Sequence, residues 1–534
     1  MHADLVARNG KIATLDTRNT LAQALAVKFG RILAVGADQE IEALIGAETT
    51  VIDLAGRTVI PGLIDSHCHM GMAGAARVMY DDLSLEAGVR SIGDLQTRLA
   101  RRAAKTPSGE WVYGYQEDDA KLAEKRHPTR WELDAAVPDH PALVTTVGGH
   151  FYIANSRALA QADVTRETPD PVGGKFDRDP ATGELSGGLH EKALDVLRPG
   201  GPPEPSRQQA RDGAEQMLKE CAAAGLTCVY DTAGRPQIQA FLDLKNEGRL
   251  PIRVRLDVII DLFPFLKALG IYRGLGDDML RLSGLKFFFD GAISARTAAV
   301  FEPYLNQPGF YGVMATTPDI AREAIRTAYA DGYRISSHAN GDRAIALYLD
   351  IMEEVQSEFP RPDSRNRIIH CTVLNPDLVS RINKLKMLPT IFGPYVYYHG
   401  DKLIPAFGEK RLEWMFAARS LLDAGLIAAA HSDHPCAPHP PLMAVHGLVN
   451  RTTRDGRPIG ASQRITVVEA LRMYTTHAAY QSFDEHELGS LEPGKRADLV
   501  VLGQDILTVP AERILEIPID MTLVDGRVVF ERSA

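Results

Sequence analysis

Eight short apolar segments, spread along the chain and separated by helical patterns, constrain the fold more than any other feature. They read TVIPGLIDSHCH (58–69), LTCVYDT (226–232), IRVRLDV (252–258), GLKFFFDG (284–291), RISSHA (334–339), RIIHC (367–371), LPTIFGP (388–394) and IAAAHSD (427–433). Stretches such as PDIAREAIRTAYADG and DRAIALYLDIMEEVQSEF lie between them, with apolar residues at helical spacing. Apolar strands alternating with helices specify a parallel sheet covered by helices, an α/β class. Eight such units over this length suit a (β/α)8 TIM barrel. The rival, an open doubly wound sheet, would carry a Gly-rich phosphate loop after its first strand, and none is present.

Two regions fall outside the eight units. From Gly71 to Gly225 the chain is much too long for one strand-to-helix loop. It contains strand-like WVYGYQ and PALVTTVGG and a helical NSRALAQA, so an α/β subdomain inserted after strand 1, about 74–222, is expected over the barrel mouth. At the start, ADLVARNGKIATLD and AVKFGRILAVG alternate like strands; at the end, GKRADLVVLG and MTLVDGRVVF do the same. These ends make either two separate hairpins or, as favoured here, one small discontinuous β-sandwich of 1–60 and 485–534 around a barrel of 61–484.

Composition narrows the setting. The 534 residues carry 59 Lys+Arg against 69 Asp+Glu, a net charge of −10. That balance disfavours nucleic acid or an anionic membrane as partner, because both reward basic patches. Five scattered cysteines do not form a disulfide framework. No basic-then-apolar leader opens the chain, and no apolar run reaches the ~18 residues of a membrane span. A cytoplasmic protein acting on a small-molecule substrate is the expectation.

The chemistry should lie at the C-terminal ends of the strands, where this fold places its sites. His67 and His69 are two residues apart, so both can face inward. Lys286 sits in a very apolar fourth strand, where an ammonium is costly unless paired or neutralised. His338 ends the fifth strand, His370 the sixth and Asp433 the eighth. Singly, each has an ordinary explanation: a hydrogen-bonded core histidine, or for Asp433 a helix cap. Jointly they gather imidazoles and a carboxylate suited to zinc or a similar divalent ion. Cys68 and Cys371 neighbour these positions, and strand alternation turns them away. Arg296 can hold a polar substituent of the substrate or pair with Asp290. Tyr397, Tyr398 and His399, read as a loop after strand seven, are candidate pocket walls, as are Trp111 and Tyr115 in the insert. Asp342 reads as a helix N-cap, and His431 and His434 as supporting or rim residues.

PGLIDSHCH, LKFFFDGAISARTA, SSHANGDRA, RIIHC and AHSDHP, followed by GSLEPGKRADLVVL, resemble the amidohydrolase superfamily of metal-dependent hydrolases. GGHFYIANSRAL and GDRAIALYLDIMEE are similar to the branch containing N-substituted formamide deformylases and D-aminoacylase-like proteins. The resemblance spans nearly the whole chain. It implies a site for one or two divalent ions, usually zinc, held by His67, His69, Lys286, His338, His370 and Asp433. Lys286 would be N6-carboxylated and Asp433 would be the general base. It also implies that His150 reaches the site from the insert and that the chain is a homo-oligomer. One departure stands out: the segment before His370 reads Arg367-Ile368-Ile369, where relatives commonly carry an acid next to the His. The implied reaction is hydrolysis of a non-peptide C–N bond in an N-acyl or N-formyl amine or amino acid, or a cyclic amide. Lactone, carbamate or ester hydrolysis at the same centre is the alternative, and a non-catalytic scaffold a third, which the filled ligand positions disfavour.

Overall fold

The computed structural model describes residues 2–197 and 204–533. Its centre is an eight-stranded, all-parallel sheet in sequential order, made of β1 (Leu63–Cys68), β2 (Leu226–Ala233), β3 (Arg253–Ile259), β4 (Leu280–Phe288), β5 (Ile335–Ala339), β6 (Arg367–His370), β7 (Leu388–Phe392) and β8 (Ala429–His431). Register aligns the strand ends, with Phe288 opposite His338, Ala339 opposite His370 and Phe392 opposite His431. The sheet closes through side chains between β1 and β8. Ser66 Oγ donates to the Ala430 carbonyl at 2.8 Å, and the Ser432 amide donates to Asp65 Oδ1 at 3.1 Å. This is a TIM barrel, and one large core cluster packs its strands against the surrounding helices.

Helix formation around the barrel follows local chemistry. Pro318–Ala330 begins at Thr317, whose side chain accepts the Ile320 amide, and buries Ala321, Ile325, Ala328 and Tyr329 along one stripe. Asn375 caps Pro376–Lys384 in the same way. Asp342 departs from its expected cap role: it is the first residue of helix Asp342–Glu358, and Gly341 is the cap. A Cβ on Gly341 would lie 1.8 Å from the Ala299 carbonyl oxygen, so only glycine fits there. Asp342 instead accepts the Phe301 amide at 2.9 Å.

The segment read as a first barrel strand is two strands. Thr58–Pro61 belongs to a terminal sheet, pairing with Lys11–Ala13 and Leu499–Leu502, and the chain enters the barrel only after Gly62. A Cβ on Gly62 would meet Thr227 Oγ1 at 2.2 Å. The terminal sheets have four strands from the N-terminal part and six strands from both ends, and they share a core that includes Leu25, Val27, Val59, Leu499 and Leu523. Arg253 ties them to the barrel through Asp498 at 2.8 Å and Asp525 at 2.6 Å.

Between helices Met70–Met79 and Arg207–Ala223 lies a mixed six-stranded sheet. Its order is Gly174–Arg178, Leu185–Glu191, Phe151–Ala154, Ala142–Thr146, Val112–Glu117 and Asp81–Asp82. It has its own core around Leu95, Leu99, Val112, Val144 and Ile153. No described helix is long and apolar enough to cross a membrane.

Candidate active site

Four histidines, one lysine and one aspartate meet where β1, β4, β5, β6 and β8 end. Asp433 Oδ1 lies 3.1 Å from His67 Nε2 and 3.3 Å from His69 Nε2. Lys286 Nζ is 3.1 Å from the same His67 nitrogen. On the far side, His370 Nε2 is 3.0 Å from His338 Nδ1. Ligand atoms of His67, His370 and Asp433 fall within 4.8 Å of one another, straddling the two sides. The six residues anticipated from the sequence are therefore drawn into one cluster. Asp433 and His370 sit in left-handed backbone conformations, φ 52° and 74°, which turn both side chains at their strand ends.

The electrostatics suit cation binding. Burial, reinforced by neighbouring positive charge, holds His67, His338 and His370 well below the ordinary imidazole range, so they are neutral with lone pairs available. Burial also pushes Lys286 down to about 7, with Asp433 and Asp257 opposing and Arg367 assisting. His338 donates through Nε2 to the Gly291 carbonyl at 3.1 Å, leaving Nδ1 turned to His370. Such an outer hydrogen bond is the usual orientation device of a ligating histidine. Asp433 Oδ1 is buried, faces the Nε2 atoms of His67 and His69, and has no hydrogen-bond partner among the described residues. Orphaned buried polar atoms of this kind need a ligand, and this donor set fits a divalent metal.

Cys68 and Cys371 take no part. Burial raises both thiols, away from the thiolate that binds metal. Cys68 instead faces the Tyr230 carbonyl at 3.5 Å.

Carboxylates brace the strand ends. Asp65, raised to about 7 by burial, accepts from the Ser432 amide and hydroxyl and from the His67 amide. Asp290 accepts the amides of Asn340, Gly341 and Ala299. Arg296 therefore does not pair with Asp290; its guanidinium lies 3.5 Å from Asp119 of the insert.

Several pocket candidates lie elsewhere or play different parts. Tyr397, Tyr398 and His399 are not on a loop but on helix Tyr395–Leu412. Tyr398 reaches Glu86 of the insert at 3.4 Å, under the Arg454 guanidinium. His399 is fully buried and bonded through Nε2 to the Cys436 carbonyl at 2.8 Å. Tyr115 packs with Tyr80 inside the insert, and Trp111 stacks on Tyr113 there. His150 does reach the centre: its ring centroid is 5.2 Å from that of His338.

His431 takes the supporting place and not the rim. It is fully buried, its ring 5.0 Å from His370 and 5.3 Å from His67, and neither ring nitrogen has a hydrogen-bond partner among the described residues. Its spacing of two from Asp433, the same as His67 to His69, was the available signal. His434 is buried as well, with Nδ1 3.2 Å from the Ala437 carbonyl.

Comparison with known proteins identifies the chain. The model of the amidohydrolase family matches residues 50–530. The chain belongs to the amidohydrolase family. This amidohydrolase is 29% identical to an N-substituted formamide deformylase of Arthrobacter pascens, over 99% of both chains. It is 30% identical to the Arabidopsis thaliana protein LONG AFTER FAR-RED 3, covering 94% of this chain and 87% of that one. Among solved structures, an uncharacterized metal-dependent hydrolase from Pyrococcus horikoshii OT3 superposes with a TM-score of 0.76 at 25% identity, over 95% and 99% of the two chains. The protein is thus a metal-dependent hydrolase of C–N bonds.

Proposed function

We propose that this amidohydrolase cleaves the amide-type bond of a small N-acyl or N-formyl amine or amino acid, or of a cyclic amide, with Asp433 as general base. The observation that carries this reading is Asp433 itself, held 3.1–3.3 Å from the imidazoles of His67 and His69. The deformylase of Arthrobacter pascens, similar over its whole length, supports the amide class.

His67, His69, His338, His370, Lys286 and Asp433 would hold one or two divalent ions, zinc foremost. Bound there, such ions lower the pKa of water and polarise a carbonyl. Asp433 takes the proton of the attacking water and returns it to the leaving nitrogen, which departs poorly without it. Lys286, drawn down to about 7, has near neutral pH a share of free amine that carbon dioxide can carboxylate, with loss of one proton. The resulting carbamate replaces a buried cation by anionic oxygens facing His67.

The test pairs elemental analysis with a hydrolysis screen over N-formyl, N-acyl, cyclic amide, carbamate and lactone compounds in the presence of Zn or Mn. At least about one metal per chain with amide hits supports the reading; a lactone-only profile overturns it. Asp433→Asn should lower turnover by about 10²- to 10⁴-fold while the fold is kept. Near-normal turnover with metal bound would refute the assignment of the base.

A further inference from the structure

Glu191 lies 41 residues from His150 in the chain, yet the two are neighbours. Strand Phe151–Ala154 pairs antiparallel with Leu185–Glu191, and the Glu191 amide donates to the His150 carbonyl at 3.0 Å. Glu191 has a left-handed backbone, φ 49°, and its side chain is nearly buried. One carboxylate oxygen, Oε2, accepts from His150 Nδ1 at 2.7 Å. The other, Oε1, accepts from Thr297 Oγ1 at 2.9 Å, and Thr297 Oγ1 in turn accepts the Ala292 amide at 3.0 Å. Thr297 and Ala292 belong to the loop that follows β4 of the barrel.

This seat is shaped by glycines. A Cβ on Gly291 would lie 2.2 Å from Thr297 Oγ1 and 2.5 Å from Glu191 Oε1. The carbonyl of the same Gly291 holds His338 Nε2 and Asn340 Nδ2, both at 3.1 Å. A Cβ on Gly148 would sit 2.7 Å from Ser294 Oγ, so the turn carrying His150 also rests on this loop. With Nδ1 committed to Glu191, His150 has only Nε2 left to offer, and no hydrogen bond engages that atom among the described residues.

We propose that Glu191 is a positioning residue of this amidohydrolase, fixing His150 so that Nε2 hydrogen-bonds the bound substrate and seating the insert on the 291–297 loop beside His338. The inference rests on the amide-hydrolase reading for its substrate arm alone. One carboxylate thereby serves both the substrate-facing imidazole and the barrel loop.

The test uses the full-length, metal-loaded enzyme and the variants Glu191→Gln, Glu191→Asp, Thr297→Val, His150→Ala and the His150→Ala/Glu191→Gln pair. Backbone amide exchange over 148–153 and 291–298 is read for each, with metal content and melting temperature. Activity is read as kcat and KM on the N-formyl or N-acyl amine that the screen selects. Glu191→Gln should speed exchange in both segments and lower kcat/KM about 10- to 100-fold with metal content unchanged, as expected on removing an orienting partner. Glu191→Asp should recover part of the loss, and the double variant should fall by clearly less than the product of the two single effects. Wild-type kcat and KM in Glu191→Gln, or a double variant falling by the product of the two single effects, would overturn the proposal. If no amide is hydrolysed, the substrate reading fails separately, and unchanged exchange in Glu191→Gln still refutes the seating of the insert by Glu191. Should Glu191→Gln not fold, Thr297→Val removes the Glu191 contact together with the acceptor of the Ala292 amide, so exchange over 148–153 is the readout: faster exchange there supports the seat, and unchanged exchange refutes it.

Discussion

Replacing Arg367 with Met tests how the barrel interior supports the site above it. Arg367 is fully buried, three residues before His370 on β6. It donates to Asp257 Oδ2 at 2.6 Å, to the Ser66 carbonyl at 3.0 Å and to Ser336 Oγ at 3.2 Å. Removing one partner of a buried ion pair costs about 3–5 kcal/mol. Asp257 would keep Arg334 at 3.1 Å, which places the electrostatic loss near the lower end, about 3 kcal/mol. The two lost hydrogen bonds to neutral acceptors add only about 1 kcal/mol in total or slightly more, because methionine also spares the burial of the guanidinium. Methionine fills much of the guanidinium stem, so little cavity cost is added. The expected destabilisation is about 4 kcal/mol, which at a urea slope of about 3 kcal/mol/M moves the midpoint by about 1 M. The chain has three tryptophans, and only Trp414 packs against the barrel core. A Trp111→Phe/Trp131→Phe background therefore makes fluorescence report barrel unfolding. Adding Asp257→Asn to Arg367→Met should recover about 1–3 kcal/mol of the summed single losses, since the two residues share one contact. A variant within about 1 kcal/mol of the parent, or strict additivity, would show that Arg367 is not a structural keystone of this interior.

Three further outcomes follow from the structure. Burial raises the Asp231 carboxyl from an ordinary 3.8 to about 8, so the folded wild type takes up a proton between those values and loses stability as pH rises through them. Asp231→Asn, which can still accept the Gly71 amide, should gain on wild type by up to about 1.4 kcal/mol per pH unit from pH 5 to 8 and no more above; melting temperatures showing the reverse trend would count against it. Gly74 and Gly213 mark the closest approach of helices Met70–Met79 and Arg207–Ala223, and a Cβ on Gly74 would lie 2.2 Å from the Gly213 carbonyl. Gly74→Ala should cost about 1–3 kcal/mol by overpacking, whereas Gly93→Ala, whose Cβ meets nothing nearer than 3.7 Å, should be neutral or stabilising in the same thermal assay. Chelation should lower the melting temperature and zinc should restore it, by about 2.7 kcal/mol at a hundred times Kd; His370→Ala should abolish that response.

How much of this was legible in the sequence depends on whether neighbours along the chain or across it make the feature. The eight strands and their terminal His, Lys and Asp residues were legible because a parallel barrel brings successive strand ends together whatever the loops do. The break at Gly62 was hidden inside one continuous apolar run, and only pairing with Lys11–Ala13 and Leu499–Leu502 reveals it. Helix Tyr395–Leu412 was obscured by Gly400, Pro405 and Gly408, and Gly408 does interrupt it with φ 72°. His431 was readable in principle from its spacing of two to Asp433. Glu191 was not, because its meeting with His150 depends on an antiparallel register and its meeting with Thr297 on docking of the insert. Arg367 shows the limit most clearly. As a departure beside a ligand it stood out in the sequence, but its function required Asp257 and Ser66, 110 and 301 residues away. A barrel interior of this kind compensates charge across strands rather than along them, so an unusual residue near a site is explained by the strands facing it before it is explained by the chemistry above it.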